Sequence, residues 1–264
     1  MGLFFNYNKV GPGVSKNEPE KKSFWRFFEL LGRNFWKLTT VNLWTVLLSL
    51  PVVTVGLAQV GLTYVTRTMS RDRHTFVTSD FFETIKKNWK QALAVGIIDL
   101  VVTTILVFDL YFFYIIANST LGMICLAASV FIALLYVFSG YYRYMLVITF
   151  HLKLSQIYKN SLLLAVCGFV RNLITTVALV VLYGITFALG YFTGNFGILI
   201  LLVLLLFIVP ALRSFIIQFI CFPVVLKFLI EPYYKEHPDE DIEKRRDLGI
   251  LPYEAPDEDV DWGE

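Results

Sequence analysis

Apolar and polar positions divide this chain into long apolar runs separated by links that are either basic or uncharged. The first run, Asn42 to Gly61 (NLWTVLLSLPVVTVGLAQVG), is interrupted near its centre by Pro51. Proline removes a backbone donor and clashes with the preceding helical turn, so the run predicts a kinked span or two half-helices meeting at Ser49 to Pro51. Ala92 to Ala117 and Leu121 to Phe150 are runs of spanning length, joined by the uncharged Asn118 to Thr120. An apolar segment from Ser161 leads into a span over Leu173 to Leu189, followed by another uncharged link, Gly190 to Gly197. The last run, Ile198 to Ile230, is too long for one perpendicular crossing at about 1.5 Å per residue. It contains Pro210, Arg213 and Pro223, which predict a kink or a continuation into the interface.

Amphipathic patterns flank the first run. Ser23 is placed to cap a helix in which Phe24, Phe27, Phe28, Leu31 and Phe35 recur at helical spacing, with Arg26, Arg33 and Lys37 elsewhere. That pattern predicts an interfacial helix over Ser23 to Lys37. After basic Arg67 to Arg73, Asp80 and Glu83 have capping-box spacing, and Phe81, Phe82, Ile85 and Trp89 read as one stripe opposite Lys86, Lys87 and Lys90. A second interfacial helix is expected over Asp80 to Lys90. Met1 to Lys22 is polar, broken by Gly11, Pro12, Gly13 and Pro19, and reads as a flexible leader without a cleavable signal or lipid-anchor pattern.

Composition turns this pattern into a class. Of 264 residues, 56% are hydrophobic, and a mean hydropathy of +0.63 exceeds what a soluble domain of this size hides from water. The expected fold is an all-α integral membrane protein, a polytopic bundle with five to six embedded segments over 23–230, the first broken at Pro51. The net charge of +2 conceals a split. From Glu231 onward thirteen acids face four bases, whereas the preceding body carries nineteen bases and eight acids. Residues 231–264 therefore read as an acidic, disordered tail.

Basic residues before the first run, at Arg67 to Lys90, from Arg143 to Arg171 and around Lys227 orient the spans by the positive-inside rule, with a cytoplasmic C-terminus in the cell membrane. Both flanks of the Pro51 run are basic. A hairpin that enters and leaves on the inner side satisfies both and is the preferred reading; a single kinked crossing strands one flank outside.

Two charges interrupt apolar runs at depth. Asp99 is about 12 Å in from the inner end of its span, and Arg213 counts to a comparable depth. A charge at mid-bilayer costs about 2.5 to 3.5 kcal/mol, so the two are expected to pair, as a structural clamp or in an ion or substrate pathway. Asp109 falls near the outer interface, and Arg143 and Arg171 are expected to snorkel to headgroups. Cys125, Cys167 and Cys221 have no CxxC spacing and read as small buried apolar residues. His74, His151 and His237 lie apart from one another, so no metal centre is expected. No phosphate, dinucleotide or serine-hydrolase motif occurs, so no catalytic residue and no cofactor is assigned. Basic residues interleaved with aromatics at membrane runs point to anionic lipid rather than nucleic acid. Gly190 and Gly194 have GxxxG spacing, but in a link, where a turn is the safer reading.

Several segments, GPGVSKNEPEKK, NLW with LPVVTVG, GLTYVTR and SDFFETIKKNWKQ, together resemble the YesL family of bacterial membrane proteins, whose molecular function is unknown. The residues that carry the resemblance are Asn42, Pro51, Thr54, Gly56, Phe81, Phe82, Asn88 and Trp89. The resemblance implies context rather than mechanism: genes of that family often neighbour carbohydrate ABC permeases and sensor kinases. The first expectation is thus a non-enzymatic membrane protein accessory to carbohydrate uptake or its sensing. Its partners would be the bilayer and an ABC permease or sensor kinase, met through the two interfacial helices. The alternative is a stand-alone small-solute transporter or channel, with Asp99 and Arg213 in its pathway.

Overall fold

A computed structural model describes residues 23–117, 119–150 and 152–236. The leader, the tail beyond Glu236, the side chain of Ser23, and His151 and His237 lie outside the described residues. All regular structure among the described residues is helical.

The first amphipathic segment is divided. Helix α1 (Ser23–Arg33) ends at Asn34, a buried residue whose Nδ2 donates to the Leu30 carbonyl at 2.9 Å, and α2 (Phe35–Ser49) follows. The aromatic stripe splits as well. Phe24 and Phe28 stay exposed, whereas Phe27 packs edge-on against Phe219 with ring centroids 5.3 Å apart.

Helix α2 stops at Leu50, and Pro51 is extended. A 3₁₀ turn over Val52–Thr54 then leads into α3 (Val55–Ser70). Thr54 Oγ1 donates towards the Leu48 and Pro51 carbonyls at 2.5 and 2.7 Å, covering acceptors that the helix end leaves open. At the other end of the two helices Arg33 pairs with Asp72, so α2 and α3 form a hairpin with Pro51 at its tip. At 15 and 16 residues, each arm is about 22 to 24 Å long, short of a hydrocarbon core of about 30 Å.

Helix α4 (Val77–Ile115) has 39 residues and runs about 58 Å, nearly twice that thickness. The second interfacial helix is therefore no separate element but the first turns of α4. Its start also lies earlier than Asp80, whose Oδ2 reaches back to accept from the Phe76 N–H at 3.0 Å and from Thr75 Oγ1 at 2.8 Å. The proposed stripe separates too: Phe81 is fully buried, while Phe82 and Trp89 are exposed. The inward face of α4 is Phe81, Thr84, Ala92 and Val95, at helical spacing. Helices α3 and α4 touch backbone to backbone. A Cβ on Gly56 would lie 2.2 Å from the Ala92 carbonyl oxygen and 2.7 Å from the Gly96 Cα, so any side chain there forces the helices apart.

Ser119 Oγ accepts from the Gly122 N–H at 3.0 Å and caps α5 (Thr120–Thr149). Then come α6 (Leu154–Cys167), α7 (Phe169–Phe192) and, after a turn in which Gly194 has φ of 57°, α8 (Gly197–Phe207). Gly194 thus serves the turn, whereas Gly190 lies within α7 and makes room for α8, since a Cβ there would meet the Leu201 side chain at 2.5 Å.

The final apolar run is broken at Ile208 and resumes as α9 (Val209–Val225). Pro210 lacks an N–H, and the break leaves carbonyls of α8 open. Asn42, fully buried on α2, covers them: its Nδ2 lies 2.6 Å from the Leu206 carbonyl oxygen and 3.3 Å from that of Leu205. Its Oδ1 accepts from the Ala211 N–H at 2.7 Å. Beyond Pro223, one π-helical turn over Leu226–Ile230 carries the chain into α10 (Glu231–Glu236), where Tyr234 is buried. The acidic segment therefore begins as part of the helical body rather than as a free tail.

Among the described residues four helices are long and apolar enough to cross a membrane: α4, α5, α7 and the continuous Val209–Lys235. This is the architecture of a helical membrane protein, with α8 as a shorter apolar helix. Of these four, the last is the most deeply buried. In the most apolar stretch of Val209–Lys235, 67% is buried, against 6% in α4.

Candidate functional site

The chemistry gathers in a cavity of about 430 Å³ walled by α3, α4, α5 and α9. Helix α4 supplies Asp99 and Thr103, α5 supplies Tyr136, Arg143 and Tyr144, α3 supplies Gln59 and Thr63, and α9 supplies Arg213, Ser214 and Gln218. Along the antiparallel α4 and α5, the wall grades from Asp99 and Arg143 to the apolar Leu110 and Ala133, nearer the 116–119 link.

The sequence placed Asp99 and Arg213 in one pair. Both line this cavity, but the carboxylate belongs to Arg143, whose Nε lies 3.0 Å from Asp99 Oδ1 and 3.2 Å from Oδ2. The depth count had set Asp99 and Arg213 at one level. Level along an axis does not say which neighbouring helix faces a side chain, and Arg143 on the adjoining α5 does. Arg143 also corrects the snorkelling expectation, because it is 4% exposed and turned into the bundle. Arg171 bonds the Ile220 carbonyl of α9 at 3.1 Å, which ties α7 to α9.

The Asp99–Arg143 pair is densely served. Tyr136 Oη and Tyr158 Oη donate to Asp99 Oδ1 at 3.0 and 2.9 Å. Arg143 Nη1 donates to Ser139 Oγ at 2.7 Å, and its guanidinium lies 4.2 Å from the Tyr136 ring centroid. In a low-dielectric interior such a set offsets the desolvation of both charges. Tyr136, Ser139, Gly140, Arg143 and Tyr144 fall at i, i+3, i+4, i+7 and i+8, so a polar face inside an apolar run was the signal that sequence reading passed over.

The opposite wall is different. Among the described residues Arg213, half-buried, has neither an ion-pair nor a hydrogen-bond partner. One turn and a residue further along α9, Gln218 is 3% exposed and its Oε1 has no hydrogen-bond partner. Gln59, Gln218 and Thr63 carried no signal in the sequence, because single polar residues in apolar helices are common and their convergence is tertiary.

The remaining candidates do not meet here. Asp109 lies on α4 near its end and lines no part of the cavity. Of the cysteines only Cys221 is buried, 3.2 Å from Thr175 Oγ1; Cys167 is exposed and Cys125 half-buried, contrary to the reading of all three as buried. Among the described residues no three His, Cys, Asp or Glu side chains are grouped to hold a metal ion. Of the resemblance residues, Asn42, Pro51, Thr54 and Gly56 shape the hairpin and its contacts. Asn88 donates to its own helix, at the Thr84 carbonyl, and Trp89 is exposed beneath Lys90.

Residues 38–110, which cover most of α2, all of α3 and most of α4, match the family model described as "Protein of unknown function, DUF624". No curated protein and no solved structure matches the chain. The matched segment supplies Asp99, Gln59 and Thr63 to the cavity, while Arg143, Arg213 and Gln218 come from beyond it.

Proposed function

We propose that this is a non-enzymatic integral membrane protein that binds a small polar solute in the cavity between α3, α4, α5 and α9, as a transporter or channel does. One observation carries the reading: Arg213 and Gln218 line one cavity of about 430 Å³, and neither the Arg213 guanidinium nor Gln218 Oε1 has a hydrogen-bond partner among the described residues. Buried polar groups are ordinarily satisfied, and an unserved charge within a bilayer is costly, so water or a solute has to meet them. The volume lies within the range of small-molecule sites.

The test is water access. With Cys125 and Cys167 replaced by serine, a Gln59→Cys protein in liposomes should react with water-soluble methanethiosulfonate reagents, while a lipid-facing Val101→Cys protein should not. An unreactive Gln59→Cys removes the reading.

A second reading, an accessory to carbohydrate uptake or sensing, is supported by the YesL resemblance and by the exposed Phe82 and Trp89 beside Lys86, Lys87 and Lys90. In that reading the basic residues face the cytoplasm. Stoichiometric recovery of an ABC permease or sensor kinase from native membranes would favour it over the stand-alone transporter.

A further inference from the structure

Resting on the solute-site reading, we infer that the cavity takes a small organic anion, with Arg213 as its counter-charge and Gln218 Oε1 accepting a hydroxyl or amine hydrogen from the same molecule. The charge count of the lining points this way. Asp99, Arg143 and Arg213 are the acidic and basic side chains of the lining. Asp99 and Arg143 cancel at 3.0 Å, and two tyrosine hydroxyls, a serine and an aromatic face occupy their other contacts. The carboxylate is therefore engaged, and so is the first guanidinium. What remains is one positive charge on Arg213.

Its position adds to this. Arg213 lies in the second turn of α9, which begins at Val209, so the positive end of that helix dipole lies on the same side. A cation as solute would meet repulsion from both. A neutral solute would leave Arg213 uncompensated in a low-dielectric setting, where the cost of an unpaired charge is high. An anion compensates it, and a guanidinium suits a carboxylate or phosphate through paired N–H donors. Gln218 Oε1 adds a requirement that a bare inorganic anion does not meet, a donor hydrogen on the solute. Ser214, Thr63 and Thr103 can serve further hydroxyls, and the tyrosines can pack against a carbon skeleton. A hydroxylated carboxylate satisfies all of these together.

The experiment uses the full chain in liposomes with the Gln59→Cys reporter, and two solutes that share a six-carbon polyol skeleton but differ in charge, gluconate and sorbitol. Gluconate should slow modification of Cys at position 59 by about tenfold at a concentration where sorbitol has no effect, the protection reached at roughly nine-tenths occupancy, because one charge pair at an effective dielectric near 20 separates the two affinities by up to about a thousandfold. An anionic sulfonatoethyl reagent should also outpace a cationic trimethylammonium reagent, relative to their rates on a free thiol. Arg213→Gln should abolish both preferences, and Arg213→Lys should keep the reagent preference. The reagent comparison needs no change at Arg213, so it stands even if the Arg213 variants fail to fold. Equal protection by the two solutes, no protection by gluconate, or a reagent ratio equal to that of a free thiol each overturns the anion assignment while leaving a hydrated cavity. Absence of reaction with either reagent overturns the solute site itself.

Discussion

Arg143 and Arg213 line one cavity in opposite circumstances. Arg143 is almost wholly buried, and its guanidinium is met by a carboxylate, a serine hydroxyl and a tyrosine face. Arg213 is half-buried and, among the described residues, is met by none. The same side chain thus does two kinds of work. A saturated charge fixes neighbouring helices, here α4 to α5, and through Tyr158 it also fixes α6. An unserved charge adds nothing to packing and persists at a cost, which is what the proposed solute site would offset.

The strongest way to break this contrast is to unpair Arg143. Asp99→Asn removes the counter-charge and leaves a buried guanidinium, for which breaking buried pairs suggests a loss of about 3 to 5 kcal/mol. Thermal unfolding in detergent should show a large fall in Tm and reduced yield; an unchanged Tm would mean that the pair is no clamp. A smaller effect is expected at the edge of the same network. Tyr158→Phe deletes one of two hydroxyl donors to Asp99 Oδ1 while keeping the ring, for about 1 to 3 kcal/mol. If Tyr158→Phe were as damaging as Asp99→Asn, the hydroxyls rather than the guanidinium would hold the carboxylate.

Much of the bundle was legible in the sequence because its signals are one-dimensional. Apolar runs marked α4, α5, α7 and α9, and proline marked both breaks, at Pro51 and beside Pro210. Asp99 and Arg213 stood out as charges within those runs. What escaped was azimuth. Arg143 sits two turns from the end of α5, which suggested snorkelling, yet its face turns inward with Tyr136 and Ser139. Phe81 and Phe82 were read as one stripe, but they are about 100° apart on a helix, and Phe81 fills the space opposite Gly61 while Phe82 does not. Asn42 looked like one polar residue in an apolar run. Its role, bridging a helix break some 165 residues downstream, exists only in three dimensions.

The smallest stability effect is expected where the functional effect is expected to be largest. Arg213→Gln removes no hydrogen bond or ion pair among the described residues, and it relieves a charge held within the bundle. The change in unfolding free energy should stay within about 0.5 kcal/mol, the range of substitutions that break no specific interaction, or be favourable. Measured beside Asp99→Asn by the same thermal unfolding, Arg213→Gln should unfold at or above the Tm of the unaltered protein. A drop comparable to that of Asp99→Asn would show that Arg213 has a structural partner after all, and the division between a clamping and a waiting arginine would fail. A retained Tm alone separates structure from function: only a residue whose loss leaves the bundle intact can then be tested for what it holds.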